Sequence, residues 1–363
     1  MFGKGSRKLE TIIGSGSRIA GKLCVDGTVR VDGLIEGDIE ATPRVNAAYL
    51  TIGAVIANLF GTTGASMLLL RPLLRTNRER TRVAHIPLFF ILIVGNAGGM
   101  LTPLGDPPLF LGYLRGVPFF WTLRLWPIWL LANAWLIALF LFVDTRAYRR
   151  EPRGAIREDR RRIEPLRLKG VFSAALLFAV GASAMLPRPW REIVMVSLAA
   201  LSYWRTPVSY HKHNHFDFGP IREVAILFAG IFVTMVPALG LVHDRAASMG
   251  ITRPWQFFWL TGILSSFLDN APTYLTFLST ASGLPLQAPP VGGSGVPDAL
   301  LAAISVGAVM MGANTYIGNG PNFMVKSIAE SQRIRMPSFF GYMAWSVGIL
   351  VPLFLVVSLV FFS

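Results

Sequence analysis

The sequence has few charged residues and almost no cysteine. Charged residues make up 15% of its 363 residues, whereas apolar residues make up 53%, and the mean hydropathy is +0.51. This composition excludes an ordinary soluble globular protein and predicts a membrane protein. The single cysteine, Cys24, cannot form an internal disulfide or hold a metal ion alone, so we expect no redox chemistry.

Motifs typical of enzymes are also missing. The sequence has no Ser-His-Asp set, no nucleotide-binding loop and no Cys/His metal spacing, so we expect neither catalysis nor a bound cofactor. His211, His213 and His215 alternate in a basic loop without nearby carboxylates or thiols, which favours a solvated loop over a metal site. The first residues lack the apolar core of a signal peptide, so insertion would depend on internal helices.

Apolar segments recur along most of the chain. They predict nine helical segments, at 46–70, 83–102, 122–143, 168–186, 192–204, 223–241, 256–278, 300–325 and 338–362. Basic residues, which give a net charge of +14, lie in short clusters between these segments. That placement favours the positive-inside rule over nucleic-acid binding. We therefore predict a multi-pass protein of a bacterial inner membrane, whose oligomeric state, monomer or homo-oligomer, the sequence leaves open.

Residues 1–40 differ from the rest. "IIGSGSRIAGKLCVDGTVRVDGLIEGDIEA" alternates apolar and polar residues, with glycine at each predicted corner, which is typical of short strands. Through "IGSGSRIAGKL" and "VDGLIEGDI" this segment resembles the beginning of a bactofilin, a polymer-forming bacterial β-helix. A solenoid needs about three or more neighbouring coils to bury a core. We expect a short β-rich appendage at 1–40 joined to a membrane domain at 41–363.

The membrane domain contains an internal repeat. Thr102 to Pro108, "TPLGDPP", matches Thr315 to Pro321, "TYIGNGP". "FGTTGAS", which begins at Phe60, matches "LDNAPTY", which begins at Leu268, at nearly the same separation. Paired Gly/Pro interruptions in two halves are typical of inverted-repeat transporters, whose binding sites lie at the breaks.

The repeat predicts two re-entrant hairpins, each followed by a broken helix. The first half (41–150) would hold the hairpin 46–70 and the broken helix 83–114. The second half would hold a basic loop and helices (151–222), the hairpin 256–278 and the broken helix 300–325. Three apolar segments precede the second hairpin, but only the strand-like segment precedes the first. We therefore expect three helices of the first repeat to be absent, through a fusion or a gene-calling artefact.

Each break combines helix-stopping residues with polar side chains. In "TPLGDPP" the prolines remove backbone donors and stop the helix, Gly105 permits an unusual turn, and Asp106 supplies charge. The predicted break and hairpin residues are Gly64, Pro103, Gly105, Pro107, Pro108, Pro272, Gly318, Gly320 and Pro321. The predicted ion- and proton-binding residues are Thr62, Thr63, Asn96, Thr102, Asp106, Asp269, Asn270, Asn314, Thr315 and Asn319.

Asp106 and Asp269 are the only carboxylates in the four motifs. An acid at the centre of a membrane costs at least about 2.5–3.5 kcal/mol, so each is a candidate for binding a cation or a proton. Helix capping is the alternative, because aspartate before such sequences suits an N-cap. Threonine and asparagine supply the neutral oxygens that hard cations accept, although either residue also stabilises helix packing.

From about residue 41 onward the chain contains five long motifs: "ANLFGTTGASMLLLRPLLRTN", "GNAGGMLTPLGDPPLFLGYLRGVPFFW", "REVAILFAGIFVTMVPAL", "LDNAPTYLTF" and "GAVMMGANTYIGNGPNFMVKSIAE". Through these motifs it resembles the sodium/proton antiporters of the NhaD type, within the ion-transporter superfamily that includes citrate permeases. The resemblance implies an all-α inverted-repeat fold that exchanges Na⁺ or Li⁺ for protons. It also places Thr62-Thr63-Gly64, Asp106, Asp269-Asn270 and Asn314 to Asn319 along the ion pathway.

Two alternatives to antiport follow from the same residues. A citrate or other carboxylate permease on this scaffold would hold its anion at the N-termini of half-helices. A membrane tether to a bactofilin filament, or a truncated chain without transport activity, would instead follow from the unusual first forty residues.

Overall fold

The computed structural model describes residues 35–36, 42–152, 167–168, 171–183, 186–187, 189–206, 219–285 and 288–363. These residues belong to one compact unit, Gly33–Ser363. The predicted β-rich segment 1–40 lies outside the described residues except for Ile35–Glu36. The same holds for the alternating histidines and for most of the basic loop after residue 152.

Helices dominate the described residues. In chain order they are α1 (Pro43–Thr76), α2 (His85–Ile93), α3 (Pro107–Leu114), α4 (Trp126–Tyr148), α5 (Val171–Ser183), α6 (Trp190–Arg205), α7 (Gly219–Arg245), α8 (Pro254–Ser265), α9 (Asn270–Ser282), α10 (Asp298–Met311), α11 (Gly320–Ser331) and α12 (Phe339–Phe361). Short 3₁₀ turns lie at Ala97–Leu101, Phe119–Leu125, Ala246–Met249 and Gly312–Asn314. Two strands, β1 (Ile35–Glu36) and β2 (Arg167–Leu168), pair antiparallel, with Ile35 opposite Leu168. The helices lie where the apolar segments predict them.

Among the residues that the structure describes, three helical stretches have the length and apolar composition needed to cross a membrane: Pro43–Thr76, Phe119–Tyr148 and Phe339–Phe361. Two shorter apolar stretches are His85–Leu101 and Asp298–Asn314. Large apolar side chains on α4 and α12 face outward, including Phe142, which is 67% exposed. These features agree with the predicted all-α membrane protein, because lipid tails accept an apolar outer surface.

Helix α1 is a helical hairpin and not one straight span. Thr42 caps its start by accepting a hydrogen bond from the Val45 N–H (3.4 Å). A straight helix rises about 1.5 Å per residue, which would separate its ends by tens of ångströms. Instead, Asn46 and Asn77 exchange side-chain hydrogen bonds of 2.9 and 2.8 Å. The chain therefore reverses between a first limb (43–60) and a second limb (62–76).

The reversal occurs at Gly61, three residues before the predicted hairpin residue Gly64. Gly61 has φ +77° and ψ 157°, a conformation that glycine adopts without strain because it lacks a Cβ. A Cβ there would also approach the carbonyl oxygen of Leu104 to 3.2 Å. Gly64 lies within the helical second limb and has no positive φ.

Helices α8 and α9 form a second helical hairpin. The rings of Phe257 and Phe277 lie edge to face with centroids 6.3 Å apart, which places the two helices side by side. The connection runs through Ser266 to Asp269. Pro272 lies in the first turn of α9, where a missing N–H costs little.

Each hairpin is followed in the chain by an interrupted helix. The first consists of α2, the turn Ala97–Leu101 and α3, and the second consists of α10, the turn Gly312–Asn314 and α11. Pro107 and Pro108 occupy the first two positions of α3, so the prediction that they stop a helix was wrong. They begin one, because the first backbone N–H groups of a helix have no partner within it.

The two interrupted helices lie in the interior. Every residue of Ile86–Ile93 is buried, and so are most residues of α10. An interior position suits irregular backbone in a membrane protein, since backbone outside a helix is tolerated there only when protein or water surrounds it. The breaks therefore form the buried centre in which the predicted site residues are found.

Candidate functional site

Asp106 is the most deeply buried carboxylate of the four predicted motifs. It immediately precedes α3 and is 1% exposed. The Thr62 hydroxyl lies 3.2 Å from Asp106 Oδ1, and Asn270 Nδ2 donates to Oδ2 at 2.7 Å. Thr62 begins the second limb of the first hairpin and Asn270 begins α9 of the second. The carboxylate therefore connects both hairpins to the first helix break.

The partners of Asp106 within the described part of the chain are neutral. No described lysine, arginine or histidine forms an ion pair with it. An ionised carboxylate has about four acceptor positions, of which the two hydrogen bonds use half. A buried charge without an opposite charge is costly, so this carboxylate needs either a proton or a cation.

A second polar cluster contains only amides and backbone carbonyls. Asn319 Nδ2 donates to Asn96 Oδ1 at 2.6 Å, and Asn96 Nδ2 donates to Asn322 Oδ1 at 2.8 Å. Asn322 in turn donates to the carbonyl oxygens of Gly312 and Thr315, at 2.8 Å each. This cluster joins the first helix break to the second through neutral groups. Asn322, like Asn96 and Asn319, is one of the asparagines that the sequence indicates as sources of neutral oxygen at the breaks.

Asn58, which is not among the predicted site residues, holds the first break. Its Nδ2 donates to the carbonyls of Ala54 (2.9 Å) and Gly98 (2.7 Å), and its Oδ1 accepts from the Leu101 N–H at 2.8 Å. Its own carbonyl accepts from the Thr102 hydroxyl at 2.5 Å. One side chain on the first hairpin thus bonds to two backbone groups of the 3₁₀ turn, the Gly98 carbonyl and the Leu101 N–H.

The second break repeats this arrangement around Ser266. Its hydroxyl oxygen lies 2.9 Å from the Gly262 carbonyl oxygen and 3.0 Å from that of Met311, which share its single hydrogen, and it accepts from Asn314 Nδ2 at 2.9 Å. Its carbonyl accepts from the Thr315 hydroxyl at 2.5 Å. Thr102 and Thr315 therefore occupy equivalent positions and make equivalent hydrogen bonds. The two motifs that match in sequence have the same local function in the structure.

Close backbone contacts explain two of the predicted glycines. A Cβ on Gly105 would overlap the carbonyl oxygen of Gly99, at 1.9 Å, and a Cβ on Gly318 would overlap that of Gly312, at 2.2 Å. Any larger residue would force the break apart at either position. Gly320, in contrast, has no atom near the position of a Cβ.

The other predicted residues differ from Asp106 in their burial and in their contacts. Thr63 is exposed and, within the described residues, makes no side-chain hydrogen bond, whereas its neighbour Thr62 is buried. Asp269 is partly buried and caps α9, since its Oδ1 accepts from the Ala271 N–H at 3.0 Å. Pro321 is the second residue of α11, and Pro103 lies buried in the first break.

A further buried charge cluster lies away from the breaks. Asp144 near the end of α4 is fully buried and forms an ion pair with Arg80. It also accepts from Asn46 Nδ2 at 3.0 Å, and His85 Nε2 lies 2.9 Å from it. The carboxylate thus joins the open end of the first hairpin to α2 and α4. In the sequence, the only indication of this buried cluster is that Asp144 lies just past an apolar segment and beside basic residues.

The family CitMHS_2, described as "Putative citrate transport", matches residues 20–362. The matched range begins inside the segment 1–40 and includes both hairpins and both helix breaks. No curated protein matches the chain.

Proposed function

The chain belongs to the CitMHS_2 family of citrate-transporter-like membrane proteins, and on that premise we propose that it is a secondary active transporter that exchanges Na⁺ or Li⁺ for protons. Asp106 is the observation that carries this proposal. Its carboxylate is 1% exposed, accepts from two neutral donors and has no ion pair with a described basic residue. Such a group holds a proton or a cation, but not both at once.

Oxygen atoms around Asp106 suit a small hard cation. Thr62 and Asn270 donate to the carboxylate, yet a hydroxyl also accepts and an amide also carries a carbonyl oxygen. Oxygen ligands are those that hard cations prefer. Reorientation of these two side chains would replace donors with ligands when a cation takes the place of the proton.

The contacts of Asp106 also support a mechanism of alternating access. Its two donors belong to different hairpins, so a movement of either hairpin changes the surroundings of the carboxylate. In inverted-repeat transporters, one repeat rocks against the other around a fixed central site. Exchange follows if the cation and the proton compete for Asp106 and each is released on a different side.

Sodium-dependent proton movement in proteoliposomes tests the proposal. The full-length protein should acidify or alkalinise the lumen when a sodium gradient is imposed, and Asp106→Asn should abolish the signal. Thr63→Val is the matched control, because Thr63 lies next to Thr62 but is exposed. Normal exchange by Asp106→Asn would refute the assignment of this residue.

A carboxylate permease is the second candidate, because the description of the family names citrate transport. The N-termini of α3 and α11 carry partial positive charge that suits an anion. Citrate uptake into the same proteoliposomes, insensitive to Asp106→Asn, would favour this candidate. We place it second because the residue that precedes α3 is itself a buried carboxylate.

A further inference from the structure

A basic pocket lies between the loop before α2 and the C-terminal end of α4, away from the helix breaks. It has a volume of about 430 Å³. Three arginines and a histidine contribute to its lining, together with small apolar side chains. The lining includes Arg82, His85, Val143, Arg146, Ala147 and Arg150. Arg146 lies in the last turn of α4 and Arg150 in the turn that follows this helix, and both line the pocket.

Two carboxylates outside the lining of this pocket bond to residues that form its walls. Glu151 accepts from the backbone N–H groups of Thr81 (3.0 Å) and Arg82 (2.8 Å), which ties the loop to the residues after α4. Asp144 lies 2.9 Å from His85 Nε2 and pairs with Arg80. The pocket therefore has a defined shape before any ligand enters.

Neither carboxylate neutralises the arginines of the pocket. Arg82, Arg146 and Arg150 are exposed, and within the described part of the chain no acidic side chain forms an ion pair with them. Three guanidinium groups at one concave site create a strong preference for an anion. Arginine is the side chain best suited to phosphate, because its planar fork offers parallel donors.

We propose that the pocket formed by Arg82, Arg146 and Arg150 binds the phosphate group of an anionic glycerophospholipid. The adjacent helix α4 belongs to an apolar stretch long enough to cross a membrane, and the pocket lies at its end, the level at which lipid phosphates occur. Basic pockets at the ends of membrane helices are typical sites for acidic lipid head groups.

The apolar part of the site favours a lipid over free phosphate. Val143 and Ala147 line the pocket, and Phe142, which lies one helical turn before Arg146 on the same side of α4, is 67% exposed. An acyl chain that extends from a phosphate in the pocket would lie against this surface. Inorganic phosphate would use the arginines alone and gain nothing from the apolar wall.

Native mass spectrometry of the full-length, detergent-purified protein tests the site. Phosphatidylglycerol is titrated against the wild type, against Arg82→Gln/Arg146→Gln/Arg150→Gln, and against the control Arg71→Gln/Arg78→Gln/Arg149→Gln. The control removes the same charge from exposed arginines outside the pocket. The substituted side chains are all exposed, and size-exclusion profiles verify that both variants fold.

We expect the pocket variant to bind phosphatidylglycerol at least about tenfold more weakly than the wild type, and the control to lose much less. The wild type should also bind phosphatidylglycerol in preference to phosphatidylcholine, a comparison that needs no variant. Millimolar inorganic phosphate should leave the bound lipid in place. Equal losses in the two variants, equal binding of the two lipids, or displacement by phosphate would each overturn the proposal.

Discussion

Asn58 provides a quantitative test of how the first helix break is held. In the structure the carbonyl of Gly98 accepts two hydrogen bonds, from Asn58 Nδ2 at 2.7 Å and from Trp129 Nε1 at 2.8 Å. The N–H of Leu101, the last residue of the 3₁₀ turn, donates to the Asn58 side chain. Asn58→Ala therefore removes one hydrogen bond from each of the two backbone groups.

The expected magnitudes follow from how many hydrogen bonds each variant removes. Asn58→Ala removes the side-chain bonds to the Leu101 N–H and to the Gly98 carbonyl, at a cost of about 0.5–1.5 kcal/mol each, while Gly98 retains Trp129. Trp129→Phe removes a donor but leaves Gly98 bonded to Asn58, so its hydrogen-bond cost is about 0.5–1.5 kcal/mol. In the double variant the Gly98 carbonyl loses both of its side-chain donors, so the loss of stability should exceed the sum of the single losses by about 1 kcal/mol or more.

The assay is the free energy of unfolding of all four proteins in mixed micelles, measured by denaturing-detergent titration. Asn58→Ser is the matched control, because Ser266 pairs with the equivalent carbonyls in the second break through a hydroxyl. We expect this variant to retain part of the stability that Asn58→Ala loses. If the effects in the double variant add to within about 0.5 kcal/mol, the shared-carbonyl account is wrong.

Three further predictions concern the hairpins, the second break and the loop after α4. Thr62→Val should weaken sodium binding, whereas Thr63→Val should not, because only Thr62 contacts the buried carboxylate; sodium titrations of proton movement measure both. Gly318→Ala should prevent assembly, whereas Gly320→Ala should be tolerated, because a Cβ at Gly318 would overlap a carbonyl oxygen; expression and size-exclusion profiles compare them. Burial alone would raise the pKa of Glu151, but hydrogen bonds from two backbone N–H groups hold this pKa below its usual range. Glu151→Gln should therefore destabilise the protein at neutral pH, and the difference in free energy of unfolding should disappear as the pH falls below about 4.

Each of these three predictions has an outcome that would contradict its reasoning. Equal sodium affinities of the Thr62 and Thr63 variants would show that the hydroxyl has no part in binding. Normal yield of Gly318→Ala would mean that the break can widen. A destabilisation by Glu151→Gln that persists at low pH would show that the carboxylate acts through its shape and not through its charge.

Much of the fold follows from the sequence because apolar length and Gly/Pro interruptions act locally. The helices lie where the apolar segments indicate, and the matched motifs fall at the two interrupted helices. The position of a turn is a finer property. Either Gly61 or Gly64 could form a turn by residue type alone. Only the three-dimensional structure shows that Gly61 is the one that contacts the first break.

The candidate site was harder to predict in full because its contacts join distant parts of the chain. Asp106 meets Asn270 across two different elements, and neither residue indicates the other. Asn58 and Ser266 bond to equivalent backbone carbonyls in the two breaks, but one does so through an amide and the other through a hydroxyl. Comparison of residue types therefore does not reveal that the two positions are equivalent. Asp144 lies beyond the end of a predicted segment, where an acid is ordinarily solvated.

Proton release on sodium binding tests the central claim most directly. The purified protein is equilibrated in weakly buffered detergent solution at a pH where Asp106 is protonated, and a pH indicator records the response to added NaCl, with choline chloride as the control salt. If Asp106 exchanges a proton for a cation, the wild type releases protons in a saturable manner and Asp106→Asn releases none. Saturable release of the same size from Asp106→Asn would contradict the account.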